Sequence, residues 1–202
     1  MSFAMGGVLL LTGAAALRRS WRTPLRWFGA IPLLFGVQQI IEGFQWLVEK
    51  PSAVSAALGY AYVFFAFLLW PVYVPFAFQS FESDPRRARL MRWLLAVGIF
   101  GALVGVYFLT TRSLVPAEVG NHICYQITVP FENAILSAYL IVVLGAGFAS
   151  TRPGARIFVI GAFLSFIISF YFYQVALTSV WCIFSAALSV LIYFDLRYSK
   201  KI

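Results

Sequence analysis

Residues 35–49 read FGVQQIIEGFQWLVE and set Gln38, Glu42, Gln45 and Glu49 at intervals of four, three and four within an otherwise apolar run. Such intervals return to the same side of an α-helix, so four polar groups share one face of a segment apolar enough to cross a bilayer. A charged side chain at that depth costs roughly 2.5–3.5 kcal/mol on insertion scales and normally faces protein or a wet cavity. Two readings follow. The face lines a hydrated pocket open to the outside, with Glu42 as proton acceptor, cation ligand or counter-ion for a solute. Alternatively it is an interhelical clamp, whose hydrogen bonds average about 0.6 kcal/mol each and fix packing.

The rest of the chain supplies the membrane. Of 202 residues, 62% are hydrophobic and 11% charged, with a mean hydropathy of +0.88, against roughly 45–50% apolar and 25% charged in a soluble domain. An aromatic share of 18%, with 21 Phe, fits lipid-facing positions and interfacial belts. The net charge of +8 would suggest nucleic acid in a soluble protein. Here the basic residues lie between apolar runs, so the partner is a lipid bilayer and no nucleic acid is implied. Counting apolar runs against the roughly 20 residues of a span predicts about seven helices, over 3–17, 25–47, 54–78, 90–109, 133–149, 157–174 and 177–196. The expected fold is all-α, a single polytopic transmembrane domain over 1–202 in the cytoplasmic (inner or plasma) membrane. The basic cluster Arg18, Arg19 and Arg22 follows the first apolar run, the reverse of a cleavable signal peptide.

Orientation follows from the arginines. Arg18, Arg19, Arg22, Arg26, Arg86, Arg87, Arg89, Arg92, Arg152, Arg156, Arg197, Lys200 and Lys201 fall on one side, and only Lys50 and Arg112 on the other. The positive-inside rule places the amino terminus outside and the carboxy terminus in the cytoplasm. One outward connection is long. Residues 111–131, TRSLVPAEVGNHICYQITVPF, make a loop of the length that often serves as a lid, on the same side as the outer half of helix two, where Glu42 lies. A displacement of 132 residues aligns Gly13-Ala14 with Gly145-Ala146, Gly29-Ala30 with Gly161-Ala162, and Glu42 with Gln174. That register points to a 3+1+3 parallel repeat with helix four as linker.

Gln39 and Trp46 flank Glu42 to complete the pattern QQxxEGxxW over residues 38–46, and Trp70, Pro71 and Pro75 form a WPxxxP segment on helix three. In these motifs the chain resembles a bacterial family of small polytopic membrane proteins of unknown function, over most of its length. The resemblance implies no catalytic residue, ligand or cofactor. Pro71 and Pro75 each remove a backbone donor, which either borders a cavity or sets a packing kink, and Pro32 poses the same choice. On helix four, Gly101 and Gly105 with Gly98 allow close helix approach, either in a homo-oligomer or against a helix of the same chain.

Cys124, in the long loop, and Cys182, early in helix seven, both fall on the outer side, where a disulfide persists, and a disulfide between them is expected. Such a staple would hold His122 and Tyr125 at the pocket mouth. His122, the only histidine, either pairs with a carboxylate such as Glu42, Glu118 or Glu132 for proton transfer or packs in the loop. Tyr173 and Gln174 end helix six near Trp181, and with Tyr60 and Trp46 they either wall a pocket or form an interfacial belt.

Much chemistry is excluded. The seven-helix plan is similar to that of rhodopsins, but Lys50, Lys200 and Lys201 are the only lysines and none lies in helix seven, so no retinal Schiff base forms. A single histidine rules out bis-histidine haem and the several-histidine zinc hydrolases, and no metal or cofactor is implied. Walker, GxSxG and dinucleotide motifs are missing. The expected function is binding or passage of a small polar or cationic solute through an outward-facing pocket formed by Gln38, Gln39, Glu42, Gln45, Trp46, His122, Tyr125, Tyr173 and Gln174. A small intramembrane enzyme using Glu42 and His122, or a structural or accessory subunit, are the alternatives.

Overall fold

Prolines and polar caps set where the helices begin and bend. The computed structural model describes residues 1–198; Lys200 and Lys201 lie outside the described residues. Helix α1 (Ser2–Ser20) is followed by a short turn of helix α2 (Arg26–Gly29) and by α3 (Ile31–Gln45), which carries Pro32 in its first turn. Next come α4 (Ala53–Val63), a π-helical turn (Phe64–Leu69) and α5 (Trp70–Gln79), one continuous bent helix. Helix α6 (Pro85–Thr111) starts on Pro85, with the Asp84 carboxylate accepting from the Arg86 and Arg87 N–H groups, as a capping residue should. After a hairpin of β1 (Val115–Val119) and β2 (His122–Gln126) come α7 (Glu132–Ala149), α8 (Pro153–Phe172) and α9 (Leu177–Tyr198).

Counting α2 with α3 and α4 with α5, seven helices occur among the described residues. Five runs are long and apolar enough to cross a membrane: Ala53–Gln79, Pro85–Thr111, Glu132–Ala149, Pro153–Phe172 and Gln174–Tyr198. The first two helices fall short for visible reasons. Helix α1 ends in Arg18 and Arg19, and α3 has 15 residues and carries the polar face. On the periphery, α6 exposes Trp93, Phe100, Leu103 and Tyr107. An apolar surface of that kind belongs in lipid rather than water, as in an integral membrane protein.

The two helices that fall short of a membrane span pack on each other. Helices α1 and α3 meet at a seam where a Cβ on Gly13 would lie 2.3 Å from the Leu33 nitrogen and one on Gly36 2.9 Å from the Leu10 nitrogen, so small residues permit backbone-to-backbone approach. The tryptophan-proline segment follows the same logic. Just before Pro71 the helix widens, and the Trp70 N–H donates to the Phe65 carbonyl five residues back, which relieves the clash a proline ring makes with the carbonyl four residues behind it. The Pro71 carbonyl in turn lacks its usual helical donor, because residue 75 is also proline. Gly98 of α6 fills that gap: an added Cβ there would sit 1.9 Å from the Pro71 oxygen, so a Gly98 Cα–H points at the orphaned acceptor. Gly98 thus makes the packing contact within the chain. Gly105 meets Leu68, and a Cβ on Gly101 would touch nothing.

The all-α expectation needs one correction. The long loop contains an antiparallel hairpin, in which Val115 faces Gln126 and Val119 faces His122. Gly120, at φ +60°, takes the first central position of a two-residue turn, a position that favours glycine. Alternation along β2 sends Ile123 and Tyr125 into a cluster with Tyr62, Val63, Ala66 and Cys182, while Cys124 joins Ala176 and Val180.

At the opposite end the connections clasp one another, and this is where the arginines gather. Arg19 donates to the Leu196 carbonyl, the Ser80 hydroxyl to the Pro24 carbonyl, and Arg87 to the Ala149 carbonyl at 2.9 Å. Arg152 and Asp195 form a 2.6 Å ion pair. The Thr151 N–H and hydroxyl both donate to the Glu82 carboxylate at 2.8 Å. Partial burial pushes the Glu82 carboxyl up, but hydrogen bonds from Thr151 and the Asp84 N–H, with Arg87 nearby, outweigh it and hold the group below the usual carboxylate range.

Two outcomes are expected. Gly98→Val drives a side chain into the Pro71 carbonyl and should lower stability by about 1–3 kcal/mol, read as a drop in melting temperature of the purified protein. Because the folded Glu82 carboxyl is more acidic than in the unfolded chain, its contribution is complete above the unfolded value and is lost as pH falls through the folded one. Acid titration of melting temperature should therefore show a step that Glu82→Gln removes.

Candidate functional site

The polar face of α3 points inward. Gln38, Gln39 and Gln45 are fully buried and Glu42 is 2% exposed, so the cost of placing them in lipid is avoided by turning them toward α4, α5 and α9. Helix α9 runs antiparallel to α3 and presents matching groups. Gln38 Nε2 donates to Cys182 Sγ at 3.4 Å, and one turn along the Ser179 hydroxyl donates to Glu42 Oε1 in a short hydrogen bond. From α5, Trp70 Nε1 donates to Gln38 Oε1 at 3.0 Å, its ring stacked on Phe35 at 4.1 Å. Gln39 Nε2 donates to Glu42 Oε2 at 3.4 Å, and Gln45 Nε2 to the Ser55 hydroxyl of α4 at 2.8 Å.

The hairpin roofs this cluster. Pro116 packs against Gly59 of α4, the Leu114 N–H donates to the Tyr60 hydroxyl, and the Tyr125 ring stacks on Tyr62 at 4.3 Å and 9°. Burial first, then the neighbouring Glu42 carboxyl and Cys182 thiol, push the Tyr125 phenol up. Three buried polar atoms in this region, Gln39 Oε1, Gln45 Oε1 and Tyr125 OH, find no hydrogen-bond partner among the described residues, while the Tyr62 hydroxyl meets the Cys182 thiol. Buried polar atoms of native proteins are nearly always paired, so three in one region mark a place built to meet another polar group.

Two cavities flank the cluster. Beyond it lies an open cleft of about 540 Å³ lined by Trp46, Glu49, Lys50, Pro116 and Glu118. There the Lys50 ammonium sits 3.5 Å from Glu118 and 6.0 Å from the Trp46 ring centre. Toward the start of α3 lies a mainly apolar cavity of about 40 Å³ bounded by Phe35, Trp70, Tyr139, Trp181 and Cys182.

Of the residues singled out by sequence, Gln38, Gln39, Glu42, Gln45 and Tyr125 come together. Trp46, 37% exposed, belongs to the outer cleft. His122 leaves β2 on the face opposite Tyr125 and packs edge-on against Tyr173 at 5.1 Å, so it is turned away from Glu42. Gln174 is exposed. Trp181 is in the core, its indole donating to the Ala162 carbonyl. The expected disulfide is corrected: Cys124 and Cys182 are both free. Strand alternation explains it, because Ile123 and Tyr125 face Cys182 while Cys124 points to the other side of the hairpin.

Sequence reasoning missed Ser55, Tyr62 and Ser179, and read Cys182 and Trp70 for other roles. One signal was present: Ser179, Cys182, Ser185 and Ser189, all buried, recur at helical spacing as a polar stripe on α9. Ser179→Ala leaves Glu42 without its α9 donor and should destabilise the fold by about 1–3 kcal/mol, measured by thermal unfolding. Ser137→Ala, whose hydroxyl bonds only its own helix on an exposed face, should be near neutral.

No curated protein and no solved structure matches the chain. DUF6629 matches residues 2–201, so the chain belongs to that family, a family of unknown function.

Proposed function

We propose that this membrane protein binds, or passes, a small polar or cationic solute at a site centred on Glu42, approached from the outer cleft and closed by the hairpin. Seven spans with the amino terminus outside complete the reading, with α1 to α5 and α7 to α9 as parallel repeats around α6. The observation that carries it is the group of unpartnered buried atoms, Gln39 Oε1, Gln45 Oε1 and the Tyr125 hydroxyl, beside a carboxylate that faces protein. A solute supplying the missing hydrogen bonds would recover the desolvation cost, about 1–3 kcal/mol for each unsatisfied group. The geometry is that of a closed site rather than the open pocket expected from sequence. Tyr125 is buried in the hairpin and stacked on Tyr62, so in this reading access requires the hairpin to move.

A second reading draws on a specific observation. Gln38, Glu42 and Gln45 make hydrogen bonds that tie α3 to α5, α9 and α4, and Gln39 braces Glu42 within α3, the arrangement of a structural clamp. The enzyme alternative loses its acid-base pair, because His122 is turned toward Tyr173.

The two readings part on one substitution. In lipid nanodiscs, thermal unfolding against a panel of small cations, amino acids, neutral polyols and anions should reveal at least one solute that stabilises the wild type and leaves Glu42→Gln unaffected, with both proteins inserting normally. A Glu42→Gln protein that accumulates poorly, alongside a wild type that responds to nothing, would leave only the clamp.

A further inference from the structure

We propose that the Glu42 site takes one dehydrated monovalent cation, an alkali ion or a small ammonium, in preference to an anion or a neutral solute. The inference rests on the reading of Glu42 as a ligand-binding group and narrows its ligand by charge and donor inventory.

Glu42 contributes the only carboxylate of the cluster. The groups that hydrogen-bond to it or sit within its electrostatic reach are Gln39 of α3, Tyr62 of α4, Tyr125 of β2, and Ser179 and Cys182 of α9. None is basic. Lys50, the nearest cation along the chain, is held in the outer cleft by Glu118, the Val48 carbonyl and Trp46. A carboxyl in a low-dielectric interior needs either a proton or a positive partner, and among the described residues no basic group meets Glu42.

The leftover atoms have the matching polarity. Gln39 must turn its amide nitrogen toward Glu42, which leaves its carbonyl oxygen as the unpartnered end. Gln45 likewise gives its nitrogen to Ser55 and keeps a free carbonyl. The Tyr125 hydroxyl, also unpartnered, has lone pairs to offer, and the Tyr62 hydroxyl stands beside the Cys182 thiol. An anion would meet a carboxylate and two carbonyls. A neutral solute would leave the carboxylate charge uncompensated.

Ion valence follows from the same count. Divalent cations such as calcium take six to eight oxygens and usually several carboxylates. Among the described residues no group of three or more His, Cys, Asp or Glu converges. One carboxylate with neutral oxygens balances one positive charge. Because Glu42 is 2% exposed, an ion reaching it must exchange water for protein oxygens, as ions do in oxygen-lined filters. In the cleft outside, Glu118 and the face of Trp46 already meet the Lys50 ammonium, and Glu49 adds a further carboxylate to the lining.

The test is equilibrium binding of radiolabelled sodium, rubidium and methylammonium to the purified full chain in nanodiscs, with labelled acetate and glycerol in parallel. The expected result is saturable binding of one cation per chain. Binding should weaken roughly thirtyfold or more in Glu42→Gln and about tenfold in Gln39→Met. Preference for sodium and rubidium over methylammonium would assign an alkali ion, and the reverse an ammonium. Tyr125→Phe keeps the ring stack on Tyr62 and removes one oxygen, so its several-fold loss carries the test if Glu42→Gln fails to fold. Equal cation binding by wild type and the three variants would overturn the proposal. Saturable glycerol or acetate binding that requires Glu42, without cation binding, would overturn the cation assignment and keep the solute site. A folded wild type that binds none of these probes and responds to no solute of the wider panel would overturn both.

Discussion

A carboxylate placed where lipid would otherwise be has to be answered by other polar groups, and the arrangement of the molecule around α3 is that answer. Glu42 receives the Ser179 hydroxyl from α9 and the Gln39 amide from its own helix. Gln38 is held between the Trp70 indole of α5 and the Cys182 thiol of α9, and Gln45 reaches Ser55 of α4. Two helices, the continuous α4–α5 helix and α9, are therefore oriented by one face of a third. The pairing is directional: Gln38 meets Cys182 and Glu42 meets Ser179, so the registers of α3 and α9 are set together.

The apolar framework accommodates this polar centre through a few close approaches. Gly13 and Gly36 let α1 lie against the back of α3, so that its polar side turns toward α4, α5 and α9. The Pro71–Pro75 pair bends the α4–α5 helix and leaves a carbonyl that only a glycine on α6 can approach. That same bend accompanies the burial of Trp70, whose ring lies on Phe35 and whose indole nitrogen reaches Gln38. Backbone defects that would be costly in lipid are thus absorbed where neighbouring helices cover them.

The hairpin gives the two ends of the molecule different characters. Its Ile123 and Tyr125 are packed into the protein, while Pro116 and Glu118 border the open cleft. At the far end, hydrogen bonds and an ion pair join the connections between α5 and α6 and between α7 and α8 to the end of α9. One end is tied by polar bonds among loops; the other is closed by ring stacking and apolar packing over a polar interior.

By itself the sequence determined that the chain is helical and apolar enough for a membrane, that about seven helices are present, and that Gln38, Glu42 and Gln45 share one face. Each of these follows from local composition and from the 3.6-residue helical period, and the helix runs agree with expectation to within a few residues except at helix interruptions such as Ala30. Partners were a different matter. That Glu42 meets Ser179, that Trp70 donates to Gln38, and that Tyr62 stacks on Tyr125 are contacts between residues far apart in the chain, and no short window encodes them. The same holds for the unbonded cysteines. Both fell on one side of the predicted topology, but whether they meet depends on which way Cys124 leaves its strand, and that strand was read as loop. Tertiary structure decided it, because the hairpin's alternation is oriented only once Ile123 and Tyr125 find the apolar surface of α4 and α9.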